Sequence, residues 1–224
     1  MFLRQVLALL AKDMKAEWRT REIFTSVFIF AILVVVVFNF AIGANPELIR
    51  LVAPGVLWVA LLFATVVGLQ RVTQMESEED CLLGVLLALG DRSALFVAKT
   101  VANMVYLLCV TVCILPLFSI WFRIDLVSHV VPLSVILFLG MLGLSAVGTF
   151  FSTLASNTRM RDVMLPLLFL PISVPLTIGA VYATADLLNG KRFAEISDYL
   201  TLIVVFDVIF VVVAVLTFDY IVEE

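Results

Sequence analysis

Ile23–Pro46 reads IFTSVFIFAILVVVVFNFAIGANP, 24 consecutive residues without a charge. An α-helix rises about 1.5 Å per residue, so about 20 apolar residues cross the roughly 30 Å of hydrocarbon in a bilayer. The run is long enough to span. It is too long for the apolar core of a cleavable signal peptide, and it follows five basic residues, so it is expected to stay in the protein. Working outward, the same test finds five more uncharged runs: Leu51–Gln70, Thr100–Phe122, Leu126–Thr158, Val163–Ala185, and Tyr199–Phe218 interrupted only by Asp207. Spans are drawn at about 24–43, 51–70, 100–122, 131–155, 163–185 and 199–218. Barrel strands would give alternating segments of about ten residues, and none is present in the sequence. The expected fold is an all-α integral membrane protein with six transmembrane helices, residues 1–224 forming a single transmembrane domain.

Composition agrees. Of 224 residues, 63% are hydrophobic and 14% charged, against about half and a quarter in soluble domains. This excludes an ordinary soluble enzyme, a disordered chain and a collagen-like chain. A net charge of −4 argues against nucleic-acid binding, which needs a basic face to displace counterions. Three cysteines give no disulfide framework.

No phosphate-binding loop of the Gly-x-x-x-x-Gly-Lys-Ser/Thr type occurs, so ATP is not expected on this chain. No catalytic set, cofactor site or metal site is legible. His129 is the single histidine, and it reads either as a solvated loop residue or as an axial ligand to haem. Cys109 and Cys113, four apart, read as small apolar packing residues, and Cys81 as inert.

Orientation follows from Lys and Arg in the short loops. With the N-terminus inside, the inner side holds ten (Arg4, Lys12, Lys15, Arg19, Arg21, Arg71, Arg92, Lys99, Arg159, Arg161). The outer side holds four (Arg50, Arg123, Lys191, Arg192). Both termini are therefore expected in the cytoplasm. Residues 2–22 form an amphipathic helix, with Leu3, Val6, Leu7, Leu10, Met14 and Trp18 on one face, lying in the bilayer interface. It reads either as an anchor or as a mechanical element.

The inner segment 71–99 opens with Glu76, Glu78, Glu79 and Asp80 and continues into Cys81–Gly90, apolar but too short to span. Glu79–Leu89 is read as a short helix parallel to the membrane. Its leucines either rest on lipid or fill a groove in a partner, and the acidic residues favour the partner. Inside the spans, Asp207 reads either as a functional carboxyl or as one hydrogen-bonded to a neighbouring helix. Asn39 and Asn103 read as interhelical hydrogen-bond donors. Gly148, Ser152 and Ser156 form a small-residue ridge for helix packing, within the chain or between subunits. Pro166, Pro171 and Pro175 predict a bent or locally broken fifth span, of the kind that lines a moving pathway, or else a static kink.

Two stretches carry a resemblance. One is Ala53-Pro-Gly-Val-Leu-Trp-Val-Ala60, followed by the acidic cluster and the short apolar segment. The other is Ala155-Ser-Asn-Thr-Arg-Met-Arg-Asp162 followed by Leu165-Pro-Leu-Leu-Phe-Leu-Pro-Ile-Ser-Val-Pro175. With the length and six spans, these resemble the CcmB family, the haem exporter protein B permeases of cytochrome c maturation. The resemblance implies a type-2 ABC exporter permease in the bacterial inner membrane, multi-pass and not itself an enzyme. It implies a homodimer working with a separate CcmA-like ATPase that carries the ATP. It also implies CcmC-like and CcmD-like haem-handling proteins and a CcmE-like haem chaperone as further partners. The resemblance implies that ATP hydrolysis drives either haem export, with haem as the cargo, or release of the haem-loaded chaperone; no cofactor is expected on this chain. Segment 71–99 becomes the coupling segment, with Glu79, Asp80, Leu82, Leu83, Leu86 and Leu87 as the ATPase contacts. Pro166, Pro171, Pro175 and Asp207 become candidates for the moving path. The alternative is a type-2 permease exporting a lipid or drug-like substrate.

Overall fold

The computed structural model describes residues 2–43, 45–78, 93–156 and 160–223. They form α1 (Phe2–Thr20), α2 (Glu22–Ile42), α3 (Pro46–Glu78), α4 (Ser93–Phe122), α5 (Val130–Ser156), α6 (Arg161–Leu188) and α7 (Ser197–Glu223), with 3-10 turns at Val127–His129 and Phe193–Ile196. The six helices α2–α7 are each long and apolar enough to cross a membrane, as the charge-free runs predict. Successive spans alternate in direction. One end of the bundle, the near end, carries α1, the end of α3 at Glu78, the start of α4 at Ser93 and the end of α7. The far end carries the turns α2–α3, α4–α5 and α6–α7.

Local chemistry sets these turns. At the far end of α2 the chain turns at Gly43, whose φ of +66° suits a residue without a Cβ. Asn45 then caps α3, its Oδ1 accepting from the backbone N–H of Glu47 (3.0 Å) and of Leu48 (3.4 Å). Pro46 follows at the first helical position, where a missing N–H costs nothing. Asn45-Pro46 is thus a helix start, and residues 47–50, expected in a loop, are helical.

Two helices hold the centre. α5 packs on α3, α4, α6 and α7, and α3 packs on α2, α4, α5 and α6. α2 and α7 flank them and turn apolar faces outward, Ile29, Leu33, Val208, Val212 and Leu216 among them. Such faces suit hydrocarbon as solvent. Where every surface is apolar, helices gain from close packing and from interhelical hydrogen bonds more than from hydrophobicity. Trp58 of α3 uses both. Its ring is fully buried and lies over Gly140 of α5, where any Cβ would overlap it. Its indole N–H donates to Thr184 Oγ1 of α6 at 2.9 Å. Gly148 on the same face of α5 admits Leu69 of α3, and Ser152 shares a 2.6 Å hydrogen bond with Thr73. The ridge of Gly148 and Ser152 therefore packs within the chain, against α3, and Ser156 closes α5.

Two further expectations are corrected. Counting charges ended the second span at Gln70 and began the third at Thr100, yet α3 runs on to Glu78 and α4 starts at Ser93. Once a helix exists, each further residue adds a hydrogen bond whether or not it is apolar. Arg71 is accommodated by an ion pair to Glu22 at 2.6 Å. Glu76 and Glu78 thus lie in the last turns of α3 rather than at the start of a following helix. The fifth span is not broken either: α6 is continuous from Arg161 to Leu188 through all three prolines.

Gly140→Val is expected to destabilise the bundle by about 1–3 kcal/mol, because it overpacks a rigid ring. Trp58→Phe and Thr184→Val should each cost about 1 kcal/mol, and their combination little more than either. Unfolding from detergent micelles measures this. Additive costs for the last pair would mean that the hydrogen bond contributes nothing.

Candidate functional site

The coupling residues Glu79, Asp80, Leu82, Leu83, Leu86 and Leu87 lie outside the described residues, as does Cys81. What the structure does describe is their mounting: α3 leads into segment 79–92 and α4 leads out of it, and both are gripped at the near end. On α3, Gln70 Nε2 donates to the backbone carbonyl of Asp162 in α6 at 3.0 Å. Arg71 pairs with Glu22 of α2, and Thr73 bonds Ser152 of α5. On α4, Ala94 and Ala98 pack against Val6 of α1. Leu95 and Phe96 pack against Ala146 of α5 and against Ala214 and Phe218 of α7. The Phe96 and Phe218 rings lie 5.3 Å apart. The near end of α3 is thus tied to α2, α5 and α6, and that of α4 to α1, α5 and α7.

α1 does more than rest on lipid. Its apolar stripe divides: Val6 is buried on α4, Leu10 and Met14 pack on the core, and Leu3, Leu7 and Trp18 stay exposed. Glu17 is buried, and its carboxylate accepts from the N–H groups of Phe24 (2.7 Å) and Ile23 (3.3 Å). A carboxylate on the first free N–H groups of a helix also meets the positive end of its dipole. The chain reverses at Arg21, in the left-handed region at φ +56°, and Glu17 locks that joint. One faint signal is legible in the helical spacing: Glu17 falls on the side of the helix next to Val6 and Leu10.

The prolines and polar residues of the spans separate by position. Pro166 is half-buried, whereas Pro171 and Pro175 face outward. A proline donates no hydrogen bond to the carbonyl four residues earlier. For Pro166 that carbonyl is Asp162, the one that Gln70 reaches. This explains why α6 needs no break there. Asn39 Nδ2 donates to the Trp121 carbonyl (2.9 Å) and Asn103 Nδ2 to Thr149 Oγ1 (2.9 Å), the interhelical roles expected of them. Cys109 and Cys113 are exposed on α4, so they face outward and do not pack inside the chain. His129 is half-buried in its 3-10 turn. Among the described residues no group of three or more His, Cys, Asp or Glu is placed to hold a metal.

Asp207 is the outlier. It sits mid-way along α7, 3% exposed, pressed against Gly143 of α5, where a Cβ would overlap both Asp207 and Leu176 of α6. Neither carboxyl oxygen has a hydrogen-bond partner among the described residues. A carboxyl at the centre of a bilayer costs about 3 kcal/mol. The reading of Asp207 as a carboxyl tied to a neighbouring helix therefore finds no bond within this chain. Two small clefts, one beside Gln70 and Thr73 and one beside Thr65 and Asn103, measure about 10 Å³ each, room for about one water.

Residues 4–223 match the family model described as CcmB protein. The chain is 29% identical over 171 residues to heme exporter protein B of Rhodobacter capsulatus, covering 76% of this chain and 78% of that protein. It is 26% identical over 180 residues to heme exporter protein B of Pseudomonas aeruginosa, covering 79% and 80%. With heme exporter protein B of Haemophilus influenzae it shares 27% over 151 residues, covering 67% and 68%.

Gln70→Leu should destabilise the protein by about 1 kcal/mol by orphaning the Asp162 carbonyl. In a Pro166→Ala background the new N–H can reach that carbonyl, and the cost should fall towards zero. An equal cost of Gln70→Leu in both backgrounds would refute the compensation.

Proposed function

The chain belongs to the CcmB family of membrane permeases, and from that membership we propose that it is the permease subunit of an ABC transporter complex for c-type cytochrome biogenesis. It lies in the bacterial inner membrane with both termini in the cytoplasm, so the near end is the cytoplasmic one. A separate CcmA-like subunit hydrolyses ATP, and a homodimer of this chain receives the force. CcmC-like and CcmD-like proteins and a CcmE-like chaperone complete the assembly, with haem as cargo.

The observation that carries this reading is the mounting of segment 79–92. An ABC permease must pass a push at its cytoplasmic surface into its spans. Here both helices flanking the segment extend beyond the spans drawn by hydropathy, to Glu78 and from Ser93, and are tied sideways by the contacts of Gln70, Arg71, Thr73 and Phe96. Leu82, Leu83, Leu86 and Leu87 are the apolar anchors for the ATPase, and Glu79 and Asp80 its polar contacts. α1, locked to α2 through Glu17 and packed on α4, moves with them as a strut. Asp207 is the buried carboxyl that the moving state uses, paired with a group outside this chain's described contacts.

A second reading shares the machinery and differs in the work done: the assembly releases the haem-loaded chaperone and passes nothing through the chain. The interior favours it. Trp58, Phe118 and Phe169 are fully buried and fill the bundle.

Replacing Leu82, Leu83 and Leu86 by Asp should abolish co-purification of the ATPase while the chain still inserts at normal levels. Undiminished co-purification would remove the coupling assignment. Asp207→Asn should raise the stability of the isolated chain by about 1–3 kcal/mol, since it removes a costly carboxyl. It should also lower cytochrome c maturation well below wild type. Wild-type maturation would leave Asp207 without a role in the cycle.

A further inference from the structure

At the far end, between the last turns of α2 and α4 and the first turn of α3, lies a crevice of about 480 Å³. Its lining includes Phe40, Arg50, Trp121, Arg123 and His129. That volume is in the range of small-ligand sites. We propose that this crevice binds the phosphate-bearing headgroup of an anionic phospholipid, whose acyl chain lies along α2.

Three independent observations support this. The first is uncompensated charge. Among the described residues Arg71 pairs with Glu22 and Lys191 with Asp186, whereas neither Arg50 nor Arg123 forms an ion pair. The one acidic residue in the lining, Asp125, is engaged by its own turn. It accepts from the N–H of Val127 (3.0 Å), from the N–H of Ser128 (3.4 Å) and from the Ser128 hydroxyl. Those bonds, the Ser128 hydroxyl first, hold its carboxyl below the usual carboxylate range. It is therefore ionised, with its oxygens committed to bonds inside the turn. His129 Nδ1 lies 3.4 Å from the Asp125 backbone carbonyl. Two guanidiniums thus remain available at one crevice, and a guanidinium fork matches phosphate oxygens.

The second is the backbone of Arg123. The end of α4 is a Schellman turn: the N–H of Ile124 bonds the Ser119 carbonyl at 3.1 Å, leaving Arg123 in the left-handed region at φ +52°. That conformation normally selects glycine, and a side chain there costs roughly 1–2 kcal/mol. The other two spans that end at this face use glycine, Gly43 and Gly190, both at positive φ. A cation held at the costly position, on the lip of a crevice, is strain retained for use.

The third is depth. Trp121 and Phe40 are exposed beside the arginines, Phe40 at 81%, an arrangement of aromatic and basic side chains suited to the level of lipid headgroups. From Phe40, the exposed residues Val37, Leu33 and Ile29 continue along one face of α2 at helical spacing. This apolar track leads from the crevice into the hydrocarbon. A head with a long chain fits crevice and track together, whereas a free anion uses only the crevice.

The test uses the full chain, carrying Trp18→Phe so that Trp121 dominates the accessible emission, in phosphatidylcholine bilayers. A set mole fraction of brominated phosphatidylglycerol or brominated phosphatidylcholine is added as quencher. Quenching of Trp121 should indicate roughly tenfold enrichment of the anionic lipid. The preference should vanish in R50Q/R123Q and persist in R50K/R123K, which keeps the charge and guards against a folding defect. Equal quenching by the two lipids, or a preference retained in R50Q/R123Q, would overturn the proposal. So would a Trp121 response to inorganic phosphate at constant ionic strength without any lipid preference, which would assign the crevice to a free anion.

Discussion

Everything in this bundle depends on how closely α3 can approach α5. In hydrocarbon the hydrophobic effect does not press helices together, so a defined arrangement needs short contacts and a few directional bonds. Trp58 over Gly140, with its N–H on Thr184, provides both at mid-membrane. Leu69 over Gly148 and Thr73 on Ser152 repeat the approach about three and four turns further along α3, nearer the cytoplasmic end that we propose. With α3 and α5 so fixed, α6 is joined to both, and α2, α4 and α7 dress the outside. Larger residues at the two glycines would separate the central pair and loosen every other contact.

The same contacts make α3 a stiff element from its cap at Asn45 to its last turn at Glu78. α4 is stiff for a different reason: its first turns are clamped between α1 and α7. A permease moved from outside needs such parts, because a push on a soft helix end is lost in local bending. On α7, against α5 and α6, one carboxyl, Asp207, is kept without a hydrogen-bond partner among the described residues, at an energetic cost. Arg71 Nε and the hydroxyls of Thr100, Ser145 and Ser173 also lack a partner among the described residues, but Asp207 is the carboxyl in that group, and such a cost is where a change of state is best sought.

Much of this was legible in the sequence, and what was not has physical causes. The six spans follow from charge-free length alone, because the bilayer sets a fixed requirement. Asn39, Asn103 and the Gly148 ridge were legible because polar or small residues in a span have few uses other than contact. Helix ends were not, since α3 runs on to Glu78 through backbone bonds and through the Arg71–Glu22 ion pair, which hydropathy does not record. The prolines suggested a broken helix because the remedy for Pro166 sits 96 residues earlier, on Gln70, and no local pattern connects them. The role of Glu17 was not legible, since it depends on how α1 folds back on α2.

Taken together, a stiff six-span scaffold, a clamped pair of helices around segment 79–92 and membership of the CcmB family support a permease subunit that turns ATP hydrolysis elsewhere into movement for cytochrome c maturation. The most direct test deletes this chain in its own cell and measures two signals together: haem covalently attached to c-type cytochromes, and haem held by the membrane-anchored chaperone. The account predicts loss of the haem-bearing cytochromes, with chaperone-bound haem retained if the work is release and lost if it is delivery. Normal levels of c-type cytochromes would contradict it.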